Sequence, residues 1–173
     1  MIKYLFLLIF LLSVTANATV LSYEVTGGGL IYHPTVDSEA AKLFPDTLSS
    51  DGRLMYRSLL GVGGHAYYEN RYESLHVFFG KNSINEPMAG GLYGNGWHWR
   101  NLNAGFICGA YMQDDDNFKR YGLHPFSVGA GIVPVVGLEV SPRVRIGEDL
   151  WLKLNNILTP VITSHSLSLE WEL

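Results

Sequence analysis

The sequence predicts an all-β fold, an eight-stranded antiparallel up-and-down transmembrane β-barrel preceded by a cleavable signal peptide. Three observations carry this prediction. Apolar and polar side chains alternate residue by residue in the C-terminal third, short and long connections alternate along the chain, and the composition is apolar without a long apolar segment after the leader. Of 173 residues, 47% are hydrophobic and only 16% charged, where an ordinary soluble domain carries about 25% charged residues. Nineteen glycines and 13% aromatic residues suit curved β structure. A net charge of −4 leaves no basic footprint for a phosphate backbone, which argues against nucleic acid as a partner. The single Cys108 excludes an internal disulfide framework and a Cys-rich metal site.

Residues 1–18 read as the signal peptide and 19–173 as the barrel. Lys3 supplies the positive start, Tyr4 to Val14 the apolar stretch, and Ala16-Asn17-Ala18 the small-residue cleavage pattern. That stretch falls short of the about 20 residues a spanning helix needs. The first five strands are expected at Leu21–Tyr32, Leu59–Glu69, Tyr72–Gly80, Met88–Trp99 and Ala104–Gln113. From Val136 to Ile146 the pattern sharpens. Val136, Leu138, Val140, Pro142, Val144 and Ile146 share one face, and Gly137, Glu139, Ser141, Arg143 and Arg145 the other. The seventh strand sets Leu150, Leu152 and Leu154 against Trp151, Lys153 and Asn155. The eighth sets Leu167, Leu169, Trp171 and Leu173 against Ser166, Ser168, Glu170 and Glu172.

Strands of roughly nine to twelve residues match a tilted membrane strand. The connections after strands one, three and five are longer (His33 to Ser58, Lys81 to Pro87, Asp114 to about Ala130) than Asn70-Arg71, Arg100 to Asn103 and Gly147 to Asp149. Closing the sheet satisfies every edge in lipid. Inside a narrow barrel opposite charges must pair, so Arg143, Arg145 and Lys153 are expected to meet inward Ser and Glu residues. An outer-membrane location in a Gram-negative cell, as a monomer, follows from export and barrel together.

Odd-numbered strands run outward in this topology, so His33 and the pair Asn82-Ser83 lie on one external rim. A His beside a Ser has the chemistry of a general base for acyl transfer. On these residues alone a second reading stands beside it: a non-catalytic small barrel that binds a partner or alters surface properties through its external loops. His65, His76, His98 and His124 show no metal-ligand spacing, and Asp114 to Asp116 lack the spacing of a calcium loop. The segment Asp37 to Asp51 reads as an acidic, helix-tolerant part of the first loop, a mobile lid or solvated loop and not a domain. His165 superficially suggests the lipid A 3-O-deacylases, but Ser166, Ser168 and Glu170 face the other way from it. The tryptophans suit an interfacial girdle or lumen packing.

The stretch Gly80-Lys81-Asn82-Ser83-Ile84-Asn85-Glu86-Pro87-Met88-Ala89-Gly90 resembles the corresponding region of the outer-membrane lipid A palmitoyltransferases, where an Asp-Ser pair shortly precedes Glu-Pro-x-Ala-Gly. His33, ending strand one in Leu30-Ile31-Tyr32-His33, matches the functional His of that family in topology. The resemblance implies an eight-stranded barrel that moves a palmitoyl chain from membrane phospholipid to the lipid A of lipopolysaccharide, with no metal or soluble cofactor. It implies His33 and Ser83 as the reacting pair, with Asn82 in the place of the acidic partner. It further implies Gly94 at the floor of an apolar acyl well, and Pro134 and Pro142 as prolines that open the wall to lipid.

Overall fold

The computed structural model describes residues 18–34, 46–83, 85–113 and 131–173. The expected signal peptide up to residue 17, the acidic loop segment 35–45, the run Asp114 to Asp116 and His124 lie outside these. Eight antiparallel strands close into one barrel: β1 (Val20–Tyr32), β2 (Leu54–Tyr67), β3 (Arg71–Lys81), β4 (Pro87–Trp99), β5 (Leu102–Gln113), β6 (Ile132–Arg145), β7 (Leu150–Leu158) and β8 (Thr163–Glu172). Each strand pairs with its sequence neighbour, and β1 with β8 completes the ring. Four strands begin one or two residues before the expected start, and two begin well before it, β2 at Leu54 rather than Leu59 and β6 at Ile132 rather than Val136. Leu54 to Tyr56 and Ile132 to Val135 are apolar on both faces, which erases the two-residue period there.

The polarity of the barrel is inverted relative to a soluble protein. Val25, Val62, Val77, Phe79, Phe106 and Val136 point out and are exposed, the apolar belt of a membrane-spanning barrel. At the short-turn end this belt turns aromatic, with Trp97 and Trp99 exposed and Tyr23 stacked on Trp171 at 5.1 Å.

Inside, the lumen has two storeys. The one nearer the short turns is packed with charge. Lys153 Nζ lies 3.2 Å from Glu24 and 3.5 Å from Glu139, and Arg143 lies 3.3 Å from Glu170. Hydroxyls occupy the remaining acceptor positions: Ser22 and Tyr67 donate to Glu170 at 2.6 and 2.5 Å, Tyr72 and Ser141 to Glu139 at 2.9 and 2.8 Å. The expected pairing thus holds for Arg143 and Lys153. Arg145 departs from it and donates instead to the carbonyls of Gly147 and Glu148 in the β6–β7 turn. Gly63 makes one of these contacts sterically possible. It stands between Glu24 on β1 and His76 on β3, and a Cβ there would come 2.3 Å from His76 Nδ1. Without that side chain, the His76 ring leans across β2 to within 3.0 Å of Glu24. The storey nearer the long connections is more apolar: Leu59, Phe78, Leu92, Ile107 and Ile157 line a cavity whose other wall is formed by Glu24, His76 and Glu139 of the charged storey with Thr26, Asn155 and Ser166.

Removing one member of such a buried charge set leaves its partners uncompensated. Lys153→Met is expected to lower stability by about 3–5 kcal/mol, read as a fall in the urea midpoint of barrel unfolding in lipid vesicles. An unchanged midpoint would show that Glu24 and Glu139 do not depend on it.

Candidate functional site

The rim above the apolar storey is assembled by a change of frame in β1. Ser22, Glu24 and Thr26 point into the lumen, so continued alternation would turn every odd residue outward, His33 included. The run Gly27-Gly28-Gly29 interrupts it. Gly28 adopts φ +69°, a backbone conformation that glycine takes without steric cost, and β1 spends one residue more than β8 between Gly27 and Leu30. Beyond this bulge Gly29, Ile31 and His33 are the buried positions.

His33 therefore turns inward and meets Ser83, with Nε2 2.5 Å from Ser83 Oγ and both residues buried. The other ring nitrogen is left for a hydrogen bond to the Val161 backbone. That carbonyl belongs to the turn between β7 and β8, which Thr159 ties by donating from Oγ1 to the Ile162 carbonyl and accepting the Ile162 N–H, both at 2.9 Å. With the ring N–H pointed at Val161, Nε2 is the lone-pair nitrogen and accepts the Ser83 hydroxyl proton. Burial holds the His33 imidazole down, to about 4; the Val161 bond opposes this and the Arg57 guanidinium adds to it.

Ser83 is positioned by two residues. Asn82 clasps the β3–β4 turn: its backbone N–H donates to Glu86 O at 2.8 Å and its Oδ1 accepts the Glu86 N–H at 2.9 Å, with Asn85 at φ 68° between them. Asn82 Nδ2 donates to Gln113 Oε1 at 3.3 Å. Arg57, buried on β2, donates from Nε to Asn82 O at 3.0 Å and from Nη2 to Ser83 O at 2.9 Å. Sequence reasoning missed Arg57 and Gln113. Both belong to strand ends far from Ser83 in the chain, and the only signal was a polar residue at an inward position of an otherwise apolar rim.

The remaining expected site residues are spread around the lumen and its wall. Gly94 lies where the apolar storey meets the charged one, and a Cβ there would come 2.4 Å from Ser74 Oγ and 3.2 Å from Glu139 Oε2. Pro142 occupies a break in the β6–β7 ladder, which pairs Leu138 to Val140 and resumes at Arg143. Pro134 lies farther along β6, where residues 132–137 have strand partners in β5 alone among the described residues. His165 faces away from Ser166, its Nδ1 2.7 Å from Asn156 Oδ1. The cavity between the storeys measures about 60 Å³.

Glu24, His65 and His76 bring three ligand-type atoms within 4.8 Å of one another, which their spacing in sequence did not suggest. Lys153 Nζ sits among them, 3.2 Å from Glu24 and 2.9 Å from His65 Nε2. The ammonium takes the place that a metal cation would occupy.

The sequence matches no protein-family model and no curated protein. Its likeness is to small barrels. The outer membrane protein AlkL in DMPC lipid bilayers aligns at 11% identity over 91% of each chain, with a TM-score of 0.48. Neisserial surface protein A aligns at 10% identity over 89% of this chain and 95% of its own, with a TM-score of 0.46. The attachment invasion locus protein Ail of Yersinia pestis, solved with the heparin analogue sucrose octasulfate, aligns at 6% identity over 89% of this chain and 99% of its own, with a TM-score of 0.42.

Because the folded-state pKa of His33 is depressed, the ring is neutral from neutral pH down to about 4 and gains its proton only below that. An NMR titration of labelled His33 in micelles is expected to show a midpoint near 4, and Arg57→Met is expected to move it upward by removing a neighbouring positive charge. A wild-type midpoint at the ordinary value of 6.5 would contradict the buried placement.

Proposed function

We propose that the chain is an outer-membrane acyltransferase resembling the lipid A palmitoyltransferases, taking a fatty acyl chain from a phospholipid and transferring it to lipid A. The observation that carries this reading is the buried, hydrogen-bonded His33–Ser83 pair at the rim with the long connections, on the side of the lumen where Leu59, Phe78, Leu92, Ile107 and Ile157 face inward. An acyl chain lying in the upper storey would present its ester at the rim. The acceptor hydroxyl oxygen attacks the ester carbon while its proton passes through Ser83 Oγ to His33 Nε2. The carbonyl π pair moves onto oxygen. When it returns, the glycerol oxygen leaves and takes the proton back from His33, giving lysophospholipid and acylated lipid A. Asn82 supplies no negative charge in this scheme. It holds the turn, and the Val161 carbonyl orients the imidazole where the family uses an acidic residue.

Two further observations support the reading. The ion pairs Arg143–Glu170 and Lys153–Glu139 gather in the lower storey, so of these groups only Glu139, with Glu24 and His76, borders the cavity, whose remaining wall includes Leu59, Phe78, Leu92, Ile107 and Ile157. The stretch of β6 without a β7 partner, with Pro134 in it and Pro142 at the ladder break, gives lipid a lateral path. The partners on this reading are phospholipid and lipopolysaccharide, met in the outer membrane by a monomer exported through a cleaved signal peptide. One observation favours the alternative, a non-catalytic barrel acting through its external loops: a cavity of about 60 Å³ holds a water or two, so an acyl chain must displace Phe78 and its neighbours.

Acyl transfer from radiolabelled phospholipid to lipid A in detergent decides between them. The wild type is expected to form product, and His33→Ala and Ser83→Ala to slow it by about 10²–10⁴-fold, the usual contribution of a positioned acid–base group. Equal product from all three rejects the site, and none from the wild type favours the binding barrel.

A further inference from the structure

The acyl transfer proposed above builds negative charge on an ester oxygen, and the rim holds an amide donor in reserve near the pair that begins the reaction. Gln113, the last residue of β5, is buried, with its backbone N–H fixed to the Gly131 carbonyl at 3.0 Å. Its side-chain orientation follows from a chain of obligations. The Glu86 N–H has to donate to Asn82 Oδ1, at 2.9 Å, which turns Asn82 Nδ2 toward Gln113. Gln113 must then present Oε1 to that donor, at 3.3 Å. Its own Nε2 is left buried with no hydrogen-bond partner among the described residues.

A buried amide donor without a partner gives up its hydrogen bond to water and gains none in return, and native structures keep few of them. The orphan here is one hydrogen bond from Asn82, and Asn82 is the covalent neighbour of Ser83. Nearby Arg57 has three nitrogens engaged with the carbonyls of Tyr56, Asn82 and Ser83. It shapes the field at the rim, while its bonds go to the backbone. We propose that Gln113 Nε2 is the oxyanion donor of the site, its ligand the carbonyl oxygen of an acyl ester. As the acceptor hydroxyl adds to the ester carbon and its proton goes to His33, the π pair collects on that oxygen and Gln113 donates to it. The bond is released when the pair returns and the glycerol oxygen departs with the proton. A neutral donor fixed before the reaction stabilises the developing charge more than the ground-state carbonyl, so its effect falls on kcat.

This inference rests on the acyltransferase reading, and the test separates the two. The full-length protein, refolded in detergent with heat-modifiable migration as the folding check, is assayed as wild type, Ser83→Ala, Gln113→Met and Gln113→Glu. Gln113→Met is expected to lose about 10²–10³-fold in kcat with KM little changed. Gln113→Glu keeps an acceptor for Asn82 and removes the donor, so it is expected to lose at least as much. A phospholipid analogue with a tetrahedral phosphonate in place of the ester should bind Gln113→Met about 10²-fold more weakly than wild type, while an ether phospholipid, which has no carbonyl, binds both alike. An active wild type with Gln113→Met at a comparable rate and undiminished phosphonate affinity overturns the Gln113 role and leaves the His33–Ser83 pair standing. A wild type that transfers no acyl group overturns both.

Discussion

Three carboxylates buried inside a barrel too narrow for bulk water govern the interior of this molecule. Glu24, Glu139 and Glu170 cannot keep their charge there without compensation, and Lys153 and Arg143 reach them from adjoining strands of the same half of the ring. The set ties the consecutive strands β6, β7, β8 and β1 to one another, and hydroxyls from β1, β2, β3 and β6 complete it. A centre so densely bonded leaves no passage through the barrel along its axis. Any ligand of the lumen has only the storey above the charges, and so its reactive part must lie at the rim with the long connections.

That division explains why the rim chemistry is spread over so many strands. The upper storey is apolar, and any polar group at its mouth needs a partner from another strand end. His33 comes from β1, Ser83 and Asn82 from the β3–β4 turn, Arg57 from β2, Gln113 from β5 and the Val161 carbonyl from the β7–β8 turn. Backbone carbonyls do much of the orienting, in place of the charged side chains that the low dielectric of the rim would penalise.

The sequence disclosed the wall better than the contents. From Val136 to the C-terminus the alternation is clean because one face meets lipid and the other meets charge, and β7, β8 and the part of β6 from Val136 onward lie where the period puts them. The start of β2 was invisible because Leu54, Met55 and Tyr56 are apolar on both faces. Strand counting placed His33 and Ser83 on one rim, since odd strands must end there, but it held no information on contact. The 2.5 Å bond needs the parity change at Gly28, which looks in sequence like loose glycine. Asn82 looked like a missing acid and is a turn clasp. Arg57 and Gln113 were unreadable because their partners are backbone carbonyls and an amide from other strands, a relation that leaves no spacing to find.

The glycine run in β1 gives that strand two reading frames. Below Gly28 the even residues belong to the protein and the odd ones to the bilayer; above it the assignment is exchanged. The exchange depends on a spare residue being held as a bulge. If the run paired as regular strand with no residue lost, the outer segment would turn inside out, sending His33 and Ile31 toward lipid and Leu30 and Tyr32 into the lumen, while the alternation below stayed as it is. Loss of Gly28 itself would instead restore plain alternation and leave Ile31 and His33 facing inward. The site thus answers to the residue count at this junction, a condition that the lower part of the strand does not share.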